Sequence, residues 1–197
     1  MLIFLAAILF GLAAGMLRSK ALGLTYEPLE LRGVGLVFLA FLPQFLAFSF
    51  QPVSSTLAPQ IVPWILVLSQ LPLFIFAGLN WRKAGFWLLG LGLALNFLVI
   101  LLNGGWMPIS PDLVSHLHPN LPLGSWQIGA RFGTGKDMVL AISQTRLYFL
   151  SDCFTLPDWI PYRVAFSLGD TLMAAGIVWL LWFLGGRKQQ TQLEVAL

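Results

Sequence analysis

Asp170 is the only acidic side chain inside an apolar stretch of this chain. A carboxylate in hydrocarbon costs several kcal/mol unless it is neutral, paired or wetted, so it must face protein or a cavity. Gln44, Gln70 and Asn96 are further polar side chains in such stretches. At about 1.5 Å per helical residue, Gln44 and Asn96 fall about 9 Å, and Asp170 about 10 Å, from the same end of their helices, with Gln70 near the middle. Two chemistries fit. One is a polar pocket in which Asp170 carries a proton or faces a cation, with Asn96, Asn103, Gln44, Gln70 and Arg146 as neighbours. The other is an interhelical hydrogen-bond cluster that fixes packing, worth about 1 kcal/mol per bond or less.

Other tempting groupings fail. Gly133-Thr134-Gly135-Lys136 resembles a phosphate loop, but the spacing is wrong and Asp137 stands where a Ser or Thr should bind magnesium. His116 and His118, the two histidines, sit near Asp112 without a third firm ligand, so no metal site is expected. With no histidine in any apolar stretch, a bis-histidine haem in the bilayer is excluded. Cys153 is the single cysteine, which rules out an intrachain disulfide and reads as a small buried hydrophobe. No nucleophile elbow or Cys-His arrangement is present.

The elements that position these residues are set by composition. The 197 residues are 58% hydrophobic and 10% charged, where a soluble domain carries about a quarter charged. The bilayer is the solvent this composition fits. Five apolar segments, at 2–17, 33–50, 61–79, 84–102 and 163–185, predict five transmembrane helices, the first being the shortest. Nothing basic precedes the first segment and Arg18 and Lys20 follow it, which predicts a retained helix rather than a signal peptide. Within it, Ala7, Gly11 and Gly15 form a small-residue stripe on one face, suited to close helix packing. Pro43, Pro63 and Pro72 inside segments two and three free nearby carbonyls.

Direction follows from the basic residues. Arg18, Lys20 and Arg32, then Arg82 and Lys83, then Arg187 and Lys188 mark alternate connections, while the segment at 51–60 has no charge. The positive-inside rule then puts the N-terminus outside and the C-terminus inside. Trp64, Trp106 and Trp159 fall near predicted outer ends, and Trp81, Trp87, Trp179 and Trp182 near inner ends, as an aromatic belt would. The net charge of +3 carries no run suited to nucleic acid.

Residues 103–162 are too many for a structureless connection and predict a small folded cap. Ser110-Pro111-Asp112 reads as a helix start, and 138–142 as a strand or buried segment. Residues 145–150 and 159–162 are apolar enough to lie against the membrane face. The tail at 189–197 is polar and expected to fray.

Asn103-Gly104-Gly105-Trp106-Met107-Pro108-Ile109 has a familiar look. With Lys136-Asp137-Met138, Thr145 to Asp152 and Ser167-Leu168-Gly169-Asp170, it resembles a bacterial membrane-protein family of unknown function with an NGGxMP signature after the penultimate helix. The resemblance implies a short multi-span protein and no particular activity. Trp106 and Ser151 depart from it, standing where a basic residue and a glycine are usual.

The expected fold is therefore all-α and integral to the membrane: helices one to four over 1–102, an extracytoplasmic cap over 103–162, helix five over 163–186, and a cytoplasmic tail over 187–197. The leading functional expectation is a non-enzymatic accessory or structural subunit in the bacterial cytoplasmic membrane, or an internal membrane derived from it. Its partners would be membrane lipid and other membrane proteins, with lipid, pigment or quinone as candidate occupants. The alternative is a small transporter or membrane enzyme built around Asp170.

Overall fold

A computed structural model describes residues 2–25, 30–120, 122, 125–183 and 187–188. It is mostly helical. The apolar segments form α1 (Leu2–Ala21), α2 (Gly35–Phe48), α4 (Val62–Leu79), α5 (Phe86–Leu102) and α7 (Leu168–Trp182), with a short α3 (Gln51–Ser54) between α2 and α4. Of these, α1 and α4 are long and apolar enough to cross a membrane; α2, α5 and α7 are shorter apolar helices.

The boundaries depart from expectation at two places. Helix α1 runs on to Ala21, taking Arg18 and Lys20 into its last turn, where cations complement the helix dipole. Helix α7 starts five residues late. Ala165–Phe166 is a strand (β5) paired antiparallel with β4 (Phe154–Thr155), and Ser167 then caps the helix. Pro63 lies in the first turn of α4, where its missing N–H costs nothing, whereas Pro43 and Pro72 are interior.

The long helices pack as a row: α1 on α7, α7 on α5, α5 on α4, and α4 on α2. Glycines set the close approaches. A Cβ on Gly15 would strike the Leu181 carbonyl, and one on Gly11 would sit 3.0 Å from the Leu181 Cβ. Ala7, Gly11, Gly15 and Ser19 are the buried face of α1. Between α5 and α7, a Cβ on Gly92 would strike the Gly169 carbonyl, and Gly85 and Gly176 oppose each other's carbonyl oxygens.

At the end where α5 stops and α7 starts, the described residues between 103 and 166 fold into a cap. Strand β2 (Met107–Ile109) pairs in parallel with β3 (Asp137–Val139), and α6 (Pro111–Leu117) begins at Ser110, whose side chain accepts from the Leu113 N–H. The expected strand at 138–142 is thus shifted to 137–139, and Ile142–Gln144 forms a 3-10 turn. Leu150, expected against the membrane face, is instead buried with Leu66, Val99, Ile100 and Met107, closing the bundle end. Phe149 and Trp159 stay exposed. At the opposite end, β1 (Leu24–Thr25) pairs antiparallel with β6 (Arg187–Lys188), so the first tail residues are a strand; 189–197 lie outside the described residues.

Candidate functional site: a charge cluster under the cap

The Asn103-Gly104-Gly105 turn aims the cap. Asn103 ends α5: its Nδ2 donates to the Val99 and Arg146 carbonyls, and its Oδ1 accepts the Arg146 N–H at 2.9 Å. Gly104 (φ 74°) and Gly105 (φ 83°) are left-handed, a region glycine enters without penalty. A Cβ on Gly105 would also sit 2.5 Å from that of Pro63. The chain then enters β2 fully buried, and the Met107 N–H bonds the Lys136 carbonyl.

The loop at 131–136, phosphate-loop-like in sequence, docks on a helix end. Arg131 donates to the Gly135, Thr134 and Ala47 carbonyls, the last being among the orphan acceptors at the C-terminus of α2. Its guanidinium lies over the Phe48 and Trp106 rings, 5.7 and 5.9 Å from their centroids. Trp106, where the resemblance leads one to expect a basic residue, is thus the platform for a basic residue. Ser151, where glycine is usual, has φ −73° and needs no glycine.

This docking delivers Lys136 to three carboxylates. Its Nζ stands 2.9 Å from Asp137 Oδ1 and 2.5 Å from Asp152 Oδ2, and the charge of Asp170 acts on both Lys136 and Asp152. The Asp152 side chain is 5% exposed, that of Lys136 36%. Burial lowers the lysine, but the three carboxylates outweigh it and hold the ammonium above the usual lysine range. Burial also pushes Asp152 up to about 7; Lys136 opposes this, and Asp137 and Asp170 reinforce it. Three acids around one ammonium favour uptake of a proton. Among the described residues Asp152 Oδ1 is buried with no hydrogen-bond partner. Burial, then the charge of Asp152, raises the adjoining half-buried Cys153 thiol.

Asp170 itself is fully engaged. It is the third residue of α7, in its first turn rather than 10 Å along the helix. Ser167 Oγ accepts the Asp170 N–H, and Asp170 Oδ2 accepts the Ser167 N–H at 3.1 Å, a capping box. Asp170 Oδ1 accepts from Asn96 Nδ2 at 2.8 Å, and Asn96 Oδ1 accepts from Ser167 Oγ at 2.7 Å.

The other polar residues go elsewhere. Gln44 donates to Ser69 Oγ, tying α2 to α4, and Gln70 donates to the Leu66 carbonyl on its own helix. Arg146 takes part through its main chain and has an exposed side chain. Of the candidate polar residues, Asn96 and Asp170 are in direct contact; Lys136, Asp152 and Ser167 are not among those candidates. Ser167 was readable, since Ser-x-x-Asp before an apolar run is a capping box; Lys136 and Asp152 meet only through the tertiary fold. His116 contacts Asp158 at 3.4 Å while His118 packs on the Phe132 ring, and among the described residues no three His, Cys, Asp or Glu are grouped to hold a metal ion.

These features define a mostly helical protein with two membrane-length apolar helices, three shorter ones, and one end closed by a folded cap. The chain belongs to a family of unknown function, DUF5317, whose model matches residues 28–182. No curated protein and no solved structure matches it.

Proposed function

We propose that this chain crosses the bacterial cytoplasmic membrane five times, with the N-terminus and cap outside, and serves as a non-enzymatic accessory subunit for other membrane proteins. The open row of helices carries this reading. Helix α1 turns its small-residue face to α7 and leaves Leu5, Leu9, Phe10, Met16 and Leu17 exposed; α2, at the other edge, exposes Phe38, Leu39, Phe41 and Leu42. Lipid covers such faces, and a partner helix covers them as well, since packing rather than hydrophobicity decides between the two. Beside α2, an apolar groove of about 300 Å³ lined by Leu42, Leu46, Val53, Leu57 and Ile65 suits one acyl or isoprenoid chain. The test is a photo-crosslinking side chain at Phe38 or Leu9 in intact membranes. A discrete adduct with another membrane protein is expected; adducts with lipid alone overturn the reading.

Asp152 supports a second reading, a proton- or cation-handling protein, because its buried carboxylate in the cap is held up to about 7 beside Lys136 and the charges of Asp137 and Asp170. In vesicles loaded with a pH-sensitive dye, Asp152→Asn would abolish a proton flux while leaving the fold intact. Wild-type vesicles that carry no flux end this reading.

A further inference from the structure

The opposite end of the bundle holds a feature that neither reading uses. Asn80 is 2% exposed, and its side chain is spent on main chain. Its Nδ2 donates to the Arg32 carbonyl at 2.8 Å and the Phe76 carbonyl at 2.9 Å, and its Oδ1 accepts the Arg32 N–H at 2.9 Å. This clamp pins residues 30–32, which lead into α2, against the C-terminus of α4. A cavity of about 530 Å³ results, with Arg32, Arg82, Lys83 and Glu30 as its charged lining and Trp81 on its wall. Among the described residues, three cations thus line it with one carboxylate. The Arg82 guanidinium lies 5.4 Å from the Trp81 ring centroid, and Trp81 packs edge-on against Trp87. Leu31 and Leu79 add apolar lining, and Ile75, one turn back on α4, is exposed.

We propose that this cavity binds an anionic phosphate ester, the headgroup of a membrane phospholipid, whose acyl chain runs along Leu79 and Ile75. Guanidinium forks from two separate segments match phosphate oxygens, and the cavity lies within the size range of ligand sites. Cations brought together from two separate segments hold an anion that neither segment would hold alone. A zwitterionic headgroup would bring a cation of its own. The proposal rests on the reading that this end of the bundle lies at a membrane interface.

The test is lipid retention, by native mass spectrometry, after extraction into mild detergent with equimolar phosphatidylglycerol and phosphatidylcholine. Wild type should retain phosphatidylglycerol by about tenfold or more over phosphatidylcholine, as about 1 kcal/mol per basic residue near an anionic surface implies. The preference should collapse at about 1 M salt, where screening is nearly complete. The combined Arg32→Gln, Arg82→Gln, Lys83→Gln variant should lose it, while Lys20→Gln with Arg146→Gln keeps it; unchanged helical circular dichroism separates site loss from misfolding. Wild type without a preference, or the triple variant with one, overturns the proposal. Glycerol phosphate at millimolar concentration is the soluble arm: if it displaces the lipid and protects the wild type alone against heat, the occupant is a free phosphate ester and the lipid assignment falls. Alkaline carbonate extraction keeps the failures apart. Release of the protein from membranes sinks the transmembrane reading, whereas retention without headgroup preference sinks only this proposal.

Discussion

Asp152 meets Lys136 with one carboxylate oxygen, at 2.5 Å, and buries the other without a partner among the described residues. An ion pair that satisfies half of a buried carboxylate leaves the group sensitive to proton uptake. The folded protein holds the Asp152 proton to about pH 7, against an ordinary value of 3.8. A folded-state pKa raised in an acid means the native state binds the extra proton, so this contribution is complete below the ordinary carboxylate range and is lost as pH rises through about 7. The Lys136 contribution, raised in a base, is intact throughout that window. Thermal midpoints should therefore fall between pH 5 and pH 8, and Asp152→Asn should flatten the slope. Equal slopes for the two proteins would exclude Asp152 as its source.

Asn96 joins two helices through two side-chain bonds, one to Asp170 and one to Ser167. Asn96→Leu strands both partners, and a buried polar group left unpaired costs about 1–3 kcal/mol. Asp170→Asn keeps one acceptor oxygen and should cost less, about 1 kcal/mol for the single bond lost. Denaturant midpoints in detergent should rank wild type, Asp170→Asn, Asn96→Leu in falling order. If Asp170→Asn instead abolishes a biological activity at unchanged stability, Asp170 has a role beyond packing.

Helix glycines divide by what a methyl group would meet. Gly92→Ala and Gly15→Ala drive a Cβ into carbonyl oxygens of α7, while nothing lies within 4 Å of a Cβ on Gly78. Overpacking against backbone typically costs about 1–3 kcal/mol or more. Gly78→Ala in the last turn of α4 should instead be neutral or stabilise by at most about 0.5–1 kcal/mol. Expression level and thermal midpoint of the three variants give the order directly.

The paired glycines of the cap turn differ in the same way. Gly104→Ala meets only the left-handed backbone penalty, roughly 1 kcal/mol. Gly105→Ala meets that penalty and Pro63 as well. Limited proteolysis should cut the cap of Gly105→Ala faster than that of Gly104→Ala; equal rates would remove the Pro63 contact from the explanation.

Local signals in the sequence locate the apolar helices and the start of α6, because hydropathy and capping act within a few residues. The cap of α7 at Ser167 carries a local signature, but β5 just before it does not, because it depends on pairing with Phe154–Thr155 earlier in the chain. The level of Asp170 is misjudged, since α7 begins only two residues before it, and neighbour order has no local signal. Helix α2 packs on α4 rather than α7, so Gln44 finds Ser69. Lys136 and Asp152 carry no local signature at all; a parallel β2–β3 pair and the Arg131 stitch bring them together.

The row order has a consequence for biogenesis. Helix α1 is made well before α7, yet they are immediate neighbours, so the glycine face of α1 has no native mate until residues 168–182 have emerged. A ribosome stalled before residue 168 leaves α1 and α5 both waiting for the same missing strip of backbone. Quality-control proteases that sense unassembled helices would find in α1 an early and long-lived mark of an unfinished chain.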